Sequence, residues 1–85
     1  MKDVTFRGDS LSHMIYWMHH DVKIVDKIHK LIKDIERNGA AKGIGKPEKL
    51  KYRDGWSRRI TDEHRLVYNV DAEKIYIISC KGHYE

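Results

Sequence analysis

Two side chains at the carboxyl end of the chain can carry acid–base and stacking chemistry. His83 and Tyr84 follow a strand-like run at residues 74–81, so the sequence predicts that the end of a rigid element presents them. An imidazole gives or takes a proton near neutral pH, and a tyrosine ring stacks on a nucleobase or donates a hydrogen bond. The alternative is that both residues merely close the edge of a small sheet.

The excess positive charge of the chain lies in one third of the sequence. Residues 42–68 hold eight basic and four acidic residues, and their net charge of +4 equals that of the whole chain. The basic residues of this window are Lys42, Lys46, Lys49, Lys51, Arg53, Arg58, Arg59 and Arg65. A local basic patch favours an anionic partner such as nucleic acid, although a solvated loop and hairpin would carry the same charges.

Strand alternation predicts where the central arginines point. Strands at residues 56–61 and 65–70 each have a polar and an apolar face. A three-residue turn at residues 61–63 would pair Arg59 with Arg65 and make the two polar faces coincide. We therefore expect these two arginines side by side on an open face, with Arg58 snorkelling at the strand end.

Directly opposite arginines repel each other, so this pair is not expected to serve stability. A phosphate between Arg59 and Arg65 would remove the repulsion and accept forked hydrogen bonds from both guanidinium groups. The alternative is that Asp62 or Glu63 neutralises them as a surface ion pair.

If that phosphate belongs to RNA, the same residues supply a metal-free cleavage reaction. A base removes the 2′-hydroxyl proton, the oxygen attacks phosphorus, positive charge stabilises the phosphorane, and an acid protonates the leaving 5′-oxygen. Glu48 is the candidate base, Arg59 and Arg65 are candidates for phosphorane stabilisation, and His83 is the candidate acid. Tyr84 would stack on a base or steady the leaving group. A lone glutamate in a basic loop can equally be an ordinary surface residue.

The elements that must position these residues form an α+β pattern. Residues 1–6 read as a short strand, and Asp9 or Ser10 is predicted to cap a first helix. Its apolar stripe is Leu11, Met14, Ile15 and Met18, and Tyr16 and Trp17 broaden it. Asp21 is predicted to cap a second helix, which ends at Asn38-Gly39 and has the apolar stripe Ile24, Ile28, Leu31, Ile32 and Ile35.

Strand-like runs follow at residues 50–52, 56–61, 65–70 and 74–81. Asp54-Gly55 is typical of a tight turn between the first two. The sequence therefore predicts an N-terminal strand and two helices packed on one face of an antiparallel sheet.

Size and composition limit the class of protein. Eighty-five residues predict one domain over residues 1–85 with a single small core. No apolar run of about 18 residues and no signal peptide is present, and the single Cys80 cannot form an internal disulfide, so we expect a cytoplasmic protein. Cys80 lies in an apolar run and is predicted to be a core residue.

Three segments resemble the YoeB/Txe toxins of bacterial toxin–antitoxin pairs, within the RelE/ParE superfamily. They are residues 46–51 (KPEKLK), the thirteen-residue block 56–68 (WSRRITDEHRLVY) and the terminal pair His83-Tyr84. The resemblance covers nearly the whole chain and implies a RelE-like fold. It also implies a metal-independent endoribonuclease, without a cofactor, that cuts mRNA in the ribosomal A site and leaves 2′,3′-cyclic phosphate and 5′-hydroxyl ends. Further implications are a YefM/Axe-like antitoxin and a homodimer.

Residue by residue, the resemblance places the general base at Glu48, the general acid at His83 and the catalytic arginine at Arg65. Tyr84 matches the terminal tyrosine of the family. The RNA- or phosphate-binding residues predicted around them are Arg59, Lys51, Lys49 and Arg58. Glu85 extends past the tyrosine that usually ends the family, and the hairpin after Glu48 is shorter than expected.

Other functions use parts of the same pattern. A non-catalytic nucleic-acid-binding module would use the basic face without Glu48 or His83. A gyrase-directed ParE-like toxin would act on a protein target and normally lacks the terminal histidine–tyrosine pair. His13 and His20 are seven residues apart and could face a metal ion, but the sequence places no acidic or cysteine partner for it, so we expect no metal site.

Overall fold

The computed structural model describes residues 2–82 and forms two layers, a five-stranded sheet with two helices on one face. The elements are β1 (Asp3–Phe6), α1 (Ser10–His20), α2 (Val22–Asn38), β2 (Glu48–Lys49), β3 (Trp56–Arg59), β4 (Arg65–Val70) and β5 (Lys74–Ser79). The predicted α+β class and order of elements are confirmed. None of the helices within residues 2–82 is long and apolar enough to cross a membrane.

The sheet is mixed rather than wholly antiparallel. Its order is β1-β5-β4-β3-β2, with antiparallel pairs from β2 to β5 and β1 parallel to β5. Parallel neighbours need a long connection between them, and the two helices with the meander supply it. The prediction of an antiparallel sheet is therefore wrong for β1, because side-chain alternation does not encode strand direction.

The first strand of the meander lies two residues earlier in the chain than predicted. Residues 50–52 are not a strand, and the two-residue β2 instead pairs Glu48 with Ser57 and Lys49 with Trp56. The buried Leu50 then leaves the ladder, and its N–H donates to the Gly55 carbonyl at 3.0 Å, which closes the turn. Gly55 has a φ of 132° and occupies the position where the turn needs a positive φ.

The apolar stripe of α2 forms the centre of the core, as predicted. Ile28, Leu31 and Ile35 are fully buried in one cluster with Leu66 and Ile77 of the sheet. At about 25 cal/mol per Å² of apolar surface, each side chain of this kind contributes roughly 1.5–3 kcal/mol when buried. The Asp21 side chain accepts from the Lys23 N–H at 3.1 Å and caps the helix, as predicted.

The apolar face of α1 differs from the predicted stripe. Met14 and Trp17 are buried, whereas Leu11, Ile15 and Met18 are exposed. The Trp17 indole N–H donates to the Cys80 carbonyl at 2.9 Å, and this long-range contact fixes the rotation of the helix about its axis.

The predicted side-chain cap of α1 is also wrong. Asp9 makes no capping hydrogen bond, and within the described residues the buried Ser10 Oγ has no partner.

Candidate active site

The site is built on the register between β3 and β4. Arg59 lies opposite Arg65, and the turn between the strands has three residues, closed by the Ile60 N–H donating to the His64 carbonyl at 2.9 Å. The Thr61 hydroxyl accepts from the Glu63 and His64 N–H groups and fixes the turn. The predicted register and the predicted Arg59–Arg65 juxtaposition are confirmed.

Arg65 is held in place by its neighbours. Its Nε–H donates to Ser57 Oγ at 2.9 Å, and its Nη2 lies 3.4 Å from the carbonyl oxygens of Ser57 and Lys46. Only 13% of its side chain is exposed. Sequence reasoning missed Ser57 as the orienting partner, although its alternation position beside Arg59 on the polar face could have indicated it.

Glu48 lies beside Arg65 in the folded chain. Its Oε2 is 3.6 Å from Arg65 Nη2, although seventeen positions separate the two residues. The carboxylate is 62% exposed, so a ligand reaches it from solvent. Two of the three chemical groups predicted from the sequence therefore converge.

The other cations predicted for the site differ in their surroundings. Arg59 is 47% exposed, and its Nη1 lies 3.8 Å from Asp62 Oδ1, a loose surface contact of the kind that contributes little to stability. Lys49 pairs with Trp56 and therefore lies on the face of the sheet opposite Glu48, with its Nζ 5.5 Å from the centre of the Trp56 ring, so the prediction that it lies at the site is wrong. Lys51 is exposed in the β2–β3 turn. The site therefore has one ordered guanidinium, that of Arg65, with the half-exposed Arg59 beside it.

Arg58 is not at the site. It is fully buried on the opposite face of β3, where it pairs with Asp34 of α2. All five of its N–H donors are used within the protein, so none is left for a phosphate. The predictions that Arg58 snorkels and binds RNA are wrong, because a complete set of buried partners outweighs the cost of taking the charge from water. Asp34 of the polar face of α2 is drawn into the same contacts, and only 14% of its side chain is exposed.

The last described residues are tied to the site by hydrogen bonds. The Arg65 N–H donates to the Gly82 carbonyl at 3.0 Å, and the Gly82 N–H donates to His64 Nδ1 at 2.9 Å. The Cys80 N–H donates to His13 Nδ1 at 3.2 Å. Residues 80–82 thus lead the chain to Arg65. The predicted His83 and Tyr84, with Glu85, lie outside the described residues.

These bonds use imidazole nitrogens as acceptors, which sequence reasoning did not foresee for His64. The His64 ring packs edge-on against Trp17, with ring centres 4.7 Å apart. Burial lowers the pKa of His13 and so favours the neutral form that can accept the Cys80 N–H. Burial raises the pKa of the Cys80 thiol to about 12, which fits the predicted core role rather than a nucleophile.

Within residues 2–82, no group of three or more His, Cys, Asp or Glu side chains is arranged to hold a metal ion. The pair considered as metal ligands has other contacts: His13 Nδ1 faces the Cys80 amide, and His20 stacks on Tyr16 with ring centres 4.0 Å apart.

Comparison with known proteins relates this geometry to one family. Residues 6–84 match the family described as YoeB-like toxin of bacterial type II toxin–antitoxin system. The chain is similar to toxin YoeB of Escherichia coli (strain K12), with 47% identity over 78 residues that cover 89% of this chain and 92% of the relative.

Solved structures show the same likeness. The YoeB dimer from Staphylococcus aureus matches with 50% sequence identity and a TM-score of 0.93, and 98% of each chain is covered. The heterotetrameric YoeB–YefM toxin–antitoxin complex from Staphylococcus aureus matches with 50% identity and a TM-score of 0.90 over 99% of each chain. The predicted RelE-like fold is therefore confirmed.

Proposed function

The chain belongs to the YoeB-like toxins of bacterial type II toxin–antitoxin systems, and from this premise we propose that it is a metal-independent endoribonuclease. Its substrate is mRNA in the ribosomal A site, and cleavage inhibits translation. The observation that carries the proposal is the 3.6 Å contact between Glu48 Oε2 and Arg65 Nη2 on the open polar face. A carboxylate beside an ordered guanidinium supplies a base next to a phosphate-binding group.

The reaction follows from the chemistry of these groups. Glu48 removes the proton of the 2′-hydroxyl, and that oxygen attacks the adjacent phosphorus. The bond to the 5′-oxygen breaks, His83 gives its proton to the leaving oxygen, and the products are a 2′,3′-cyclic phosphate and a 5′-hydroxyl. Arg65 stabilises the charge that develops on the phosphorane oxygens, and Tyr84 stacks on a base or steadies the leaving group.

The surrounding cations bind substrate rather than react. Arg59, which lies opposite Arg65, would contact backbone phosphates, and Lys49 and Lys51, which follow Glu48 closely in the chain, would add positive charge that attracts RNA. The Ser57 hydroxyl holds the guanidinium of Arg65 in a fixed orientation before RNA arrives. An arginine fixed in this way loses less side-chain entropy when it binds phosphate.

The proposal includes protein partners and a compartment. A YefM/Axe-like antitoxin would silence the toxin, and a second copy of the chain would form a homodimer, by analogy with the YoeB–YefM complex and the YoeB dimer from Staphylococcus aureus. The proposed compartment is the cytoplasm. Leu11, Ile15 and Met18 of α1 are exposed apolar residues and offer a surface for such a partner.

Cell-free translation with mapping of mRNA 5′ ends tests the activity. The expected result is cleavage within A-site codons that falls to a small residual rate, measured at single turnover, in Glu48→Gln and His83→Gln, is reduced about 10²–10³-fold in Arg65→Ala, and does not change when chelator is added. Glu63→Gln, an exposed carboxylate of the β3–β4 turn, is the matched control and should retain the activity.

RNA binding and gyrase assays distinguish the alternatives. The proposed acid role requires His83→Gln to bind ribosome–mRNA complexes within a few fold of the unsubstituted protein. RNA binding without cleavage would instead identify a nucleic-acid-binding module, and inhibition of gyrase without mRNA cleavage would identify a ParE-like toxin.

A further inference from the structure

We propose that Asp34 and Arg58 are positioning residues for Glu48, acting through the loop of residues 39–47 that leads into β2. This inference rests on the proposed function, because it explains how the general base reaches Arg65. Neither residue lies at the reacting groups: Arg58 is on the helix-facing side of β3, and Asp34 is on α2.

The guanidinium of Arg58 organises the loop from inside the protein. Two of its N–H groups donate to the Gly39 and Lys42 carbonyls at 2.9 and 2.7 Å, and a third donates to the Ile44 carbonyl at 3.0 Å. Its remaining donors reach Asp34 and Tyr68. One buried side chain thus satisfies three carbonyl oxygens of a segment that has no regular secondary structure of its own.

Asp34 and Tyr68 complete the same network. Asp34 Oδ2 accepts from the Ile44 N–H at 3.0 Å in addition to Arg58, and the Tyr68 hydroxyl donates to the Ala40 carbonyl at 2.6 Å. The loop backbone is therefore held at residues 39, 40, 42 and 44 by side chains from α2, β3 and β4. The position of the loop depends on these side chains being present together.

Two glycines show how closely the loop lies on the ion pair. A Cβ atom at Gly43 would stand 1.7 Å from Asp34 Oδ2, and one at Gly45 would stand 2.8 Å from Leu31 Cδ2 and 3.1 Å from Arg58 Cβ. Both glycines also have a positive φ, of 123° and 81°. Only a residue without a side chain fits at either position, so the loop and the pair are in direct contact.

The end of the loop contacts the arginines of the site. The Gly45 carbonyl accepts from the Arg59 N–H, and the Lys46 carbonyl lies 3.4 Å from Arg65 Nη2. Lys46 has a φ of 50°, and within residues 2–82 it is the only residue other than glycine with a positive φ. A strained backbone of this kind persists only where the surroundings determine it. Glu48 follows two residues later, so a shift of the loop moves the carboxylate relative to Arg65.

A double-mutant cycle tests the positioning role. Asp34→Asn keeps the shape of the side chain but removes the charge that pairs with Arg58. We expect it to slow mRNA cleavage about 10–10²-fold, the loss expected for a misplacement of about 1 Å, and to have no further effect in a Glu48→Gln background. Equal losses in both backgrounds would show a general effect on folding and would overturn the proposal.

Two further variants serve as a stability control and as a substitute for Asp34→Asn. Ile75→Val removes buried volume in β5 away from the loop and serves as a control for destabilisation, with unchanged cleavage expected below its melting temperature. If Asp34→Asn does not fold, Tyr68→Phe replaces it, because this change removes only the Tyr68 contacts to Ala40 and Arg58. Tyr68→Phe should slow mRNA cleavage in the protein that has Glu48 and should not slow it further in the Glu48→Gln background.

A spectroscopic readout separates this inference from the proposed function. The Glu48 carboxyl carbon resonance should shift in Arg65→Ala, which removes its neighbour, and Asp34→Asn should shift it in the same direction. Amide exchange at Ile44 and Arg59 should accelerate in Asp34→Asn, while exchange at Ile28 keeps its protection. These changes in a protein that does not cleave mRNA would refute the proposed function alone. An unmoved Glu48 resonance in an active enzyme would refute the positioning role alone.

Discussion

Consecutive arginines of β3 occupy opposite faces of the sheet and have opposite surroundings. Arg58 is fully buried, pairs with Asp34 and donates five hydrogen bonds, whereas the Arg59 side chain is about half exposed and makes a loose contact to Asp62 at 3.8 Å. The two side chains have the same charge and the same five donors. Only the face on which each lies distinguishes them.

The comparison shows how one sheet separates a charge that is buried in the fold from charges that stay accessible to a ligand. A buried guanidinium is tolerated only when every donor has a partner, because an unpaired buried charge is costly. Such a residue is unavailable to a ligand. On the open face, Arg59 and Arg65 lie opposite each other with loose carboxylate contacts, to Asp62 at 3.8 Å and to Glu48 at 3.6 Å, and an anionic ligand would add shorter hydrogen bonds.

The largest expected difference in the free energy of unfolding is between Arg58→Ala and Arg59→Ala. Arg58→Ala leaves Asp34 without its partner and frees three loop carbonyls, so the free energy of unfolding should fall by about 3–5 kcal/mol. Arg59→Ala removes an exposed contact and should leave urea denaturation midpoints unchanged. Equal midpoints for both variants would contradict the assignment of Arg58 to the fold.

The close contact between loop and ion pair can be broken by adding one methyl group. Gly43→Ala places a Cβ on the Asp34 carboxylate at a φ of 123°, and we expect a loss of about 1–3 kcal/mol in the free energy of unfolding. Gly8→Ala is the matched control, since Gly8 also has a positive φ, of 56°, but has nothing within 4 Å of the added atom. Thermal unfolding should show the smaller shift for Gly8→Ala, and the reverse order would contradict the packing.

Tyr68→Phe tests the buried network without removing a charge. The Ala40 carbonyl and the Arg58 Nε–H each lose a partner, so the free energy of unfolding should decrease by about 1–3 kcal/mol. Tyr52→Phe, at an exposed tyrosine of the β2–β3 turn, should leave it unchanged. Chemical denaturation of the two variants compares the buried network with the open surface directly.

Acid should weaken the buried network once Asp34 becomes protonated. Burial raises the pKa of Asp34, but the hydrogen bonds from Arg58 and the Ile44 amide outweigh it, and the pKa lies below its ordinary value of 3.8. A folded-state pKa below the unfolded one gives stability that is complete above about pH 4 and is lost as pH falls through the folded-state value. The melting temperature should therefore decline below about pH 4.

Asp34→Asn should reduce this decline of the melting temperature below about pH 4, because an amide does not titrate at these pH values. Asp62→Asn, which alters only the loose contact to Arg59, should retain it. If the melting temperature of Asp34→Asn declines below about pH 4 as it does in the unsubstituted protein, the decline is due to other carboxylates.

Local rules recovered the elements and the register of the site. The α2 stripe was predictable because its apolar residues recur with the helical period and all of them are buried. The Arg59–Arg65 pairing was predictable because a three-residue turn is the one that keeps polar and apolar faces apart.

Other features depended on contacts between distant parts of the chain. The predicted buried face of α1 was wrong because the hydrogen bond from Trp17 to Cys80, which spans 63 positions, outweighs the apolar stripe that the helix shows by itself. The place of β2 was wrong because the two-residue strand forms only where residues 48 and 49 meet β3, and local propensity is weak over so short a segment.

By itself, the sequence determined the class of fold, the core face of α2, the turn between β3 and β4 and the residue types available for chemistry, because each depends on spacing within a few residues. The tertiary structure alone decided that Arg58 is buried while Arg59 is open, that β1 runs parallel to β5, and that Glu48 meets Arg65. These outcomes depend on which long-range partners satisfy a buried charge or an open backbone group, and that information arises only when distant segments pack together.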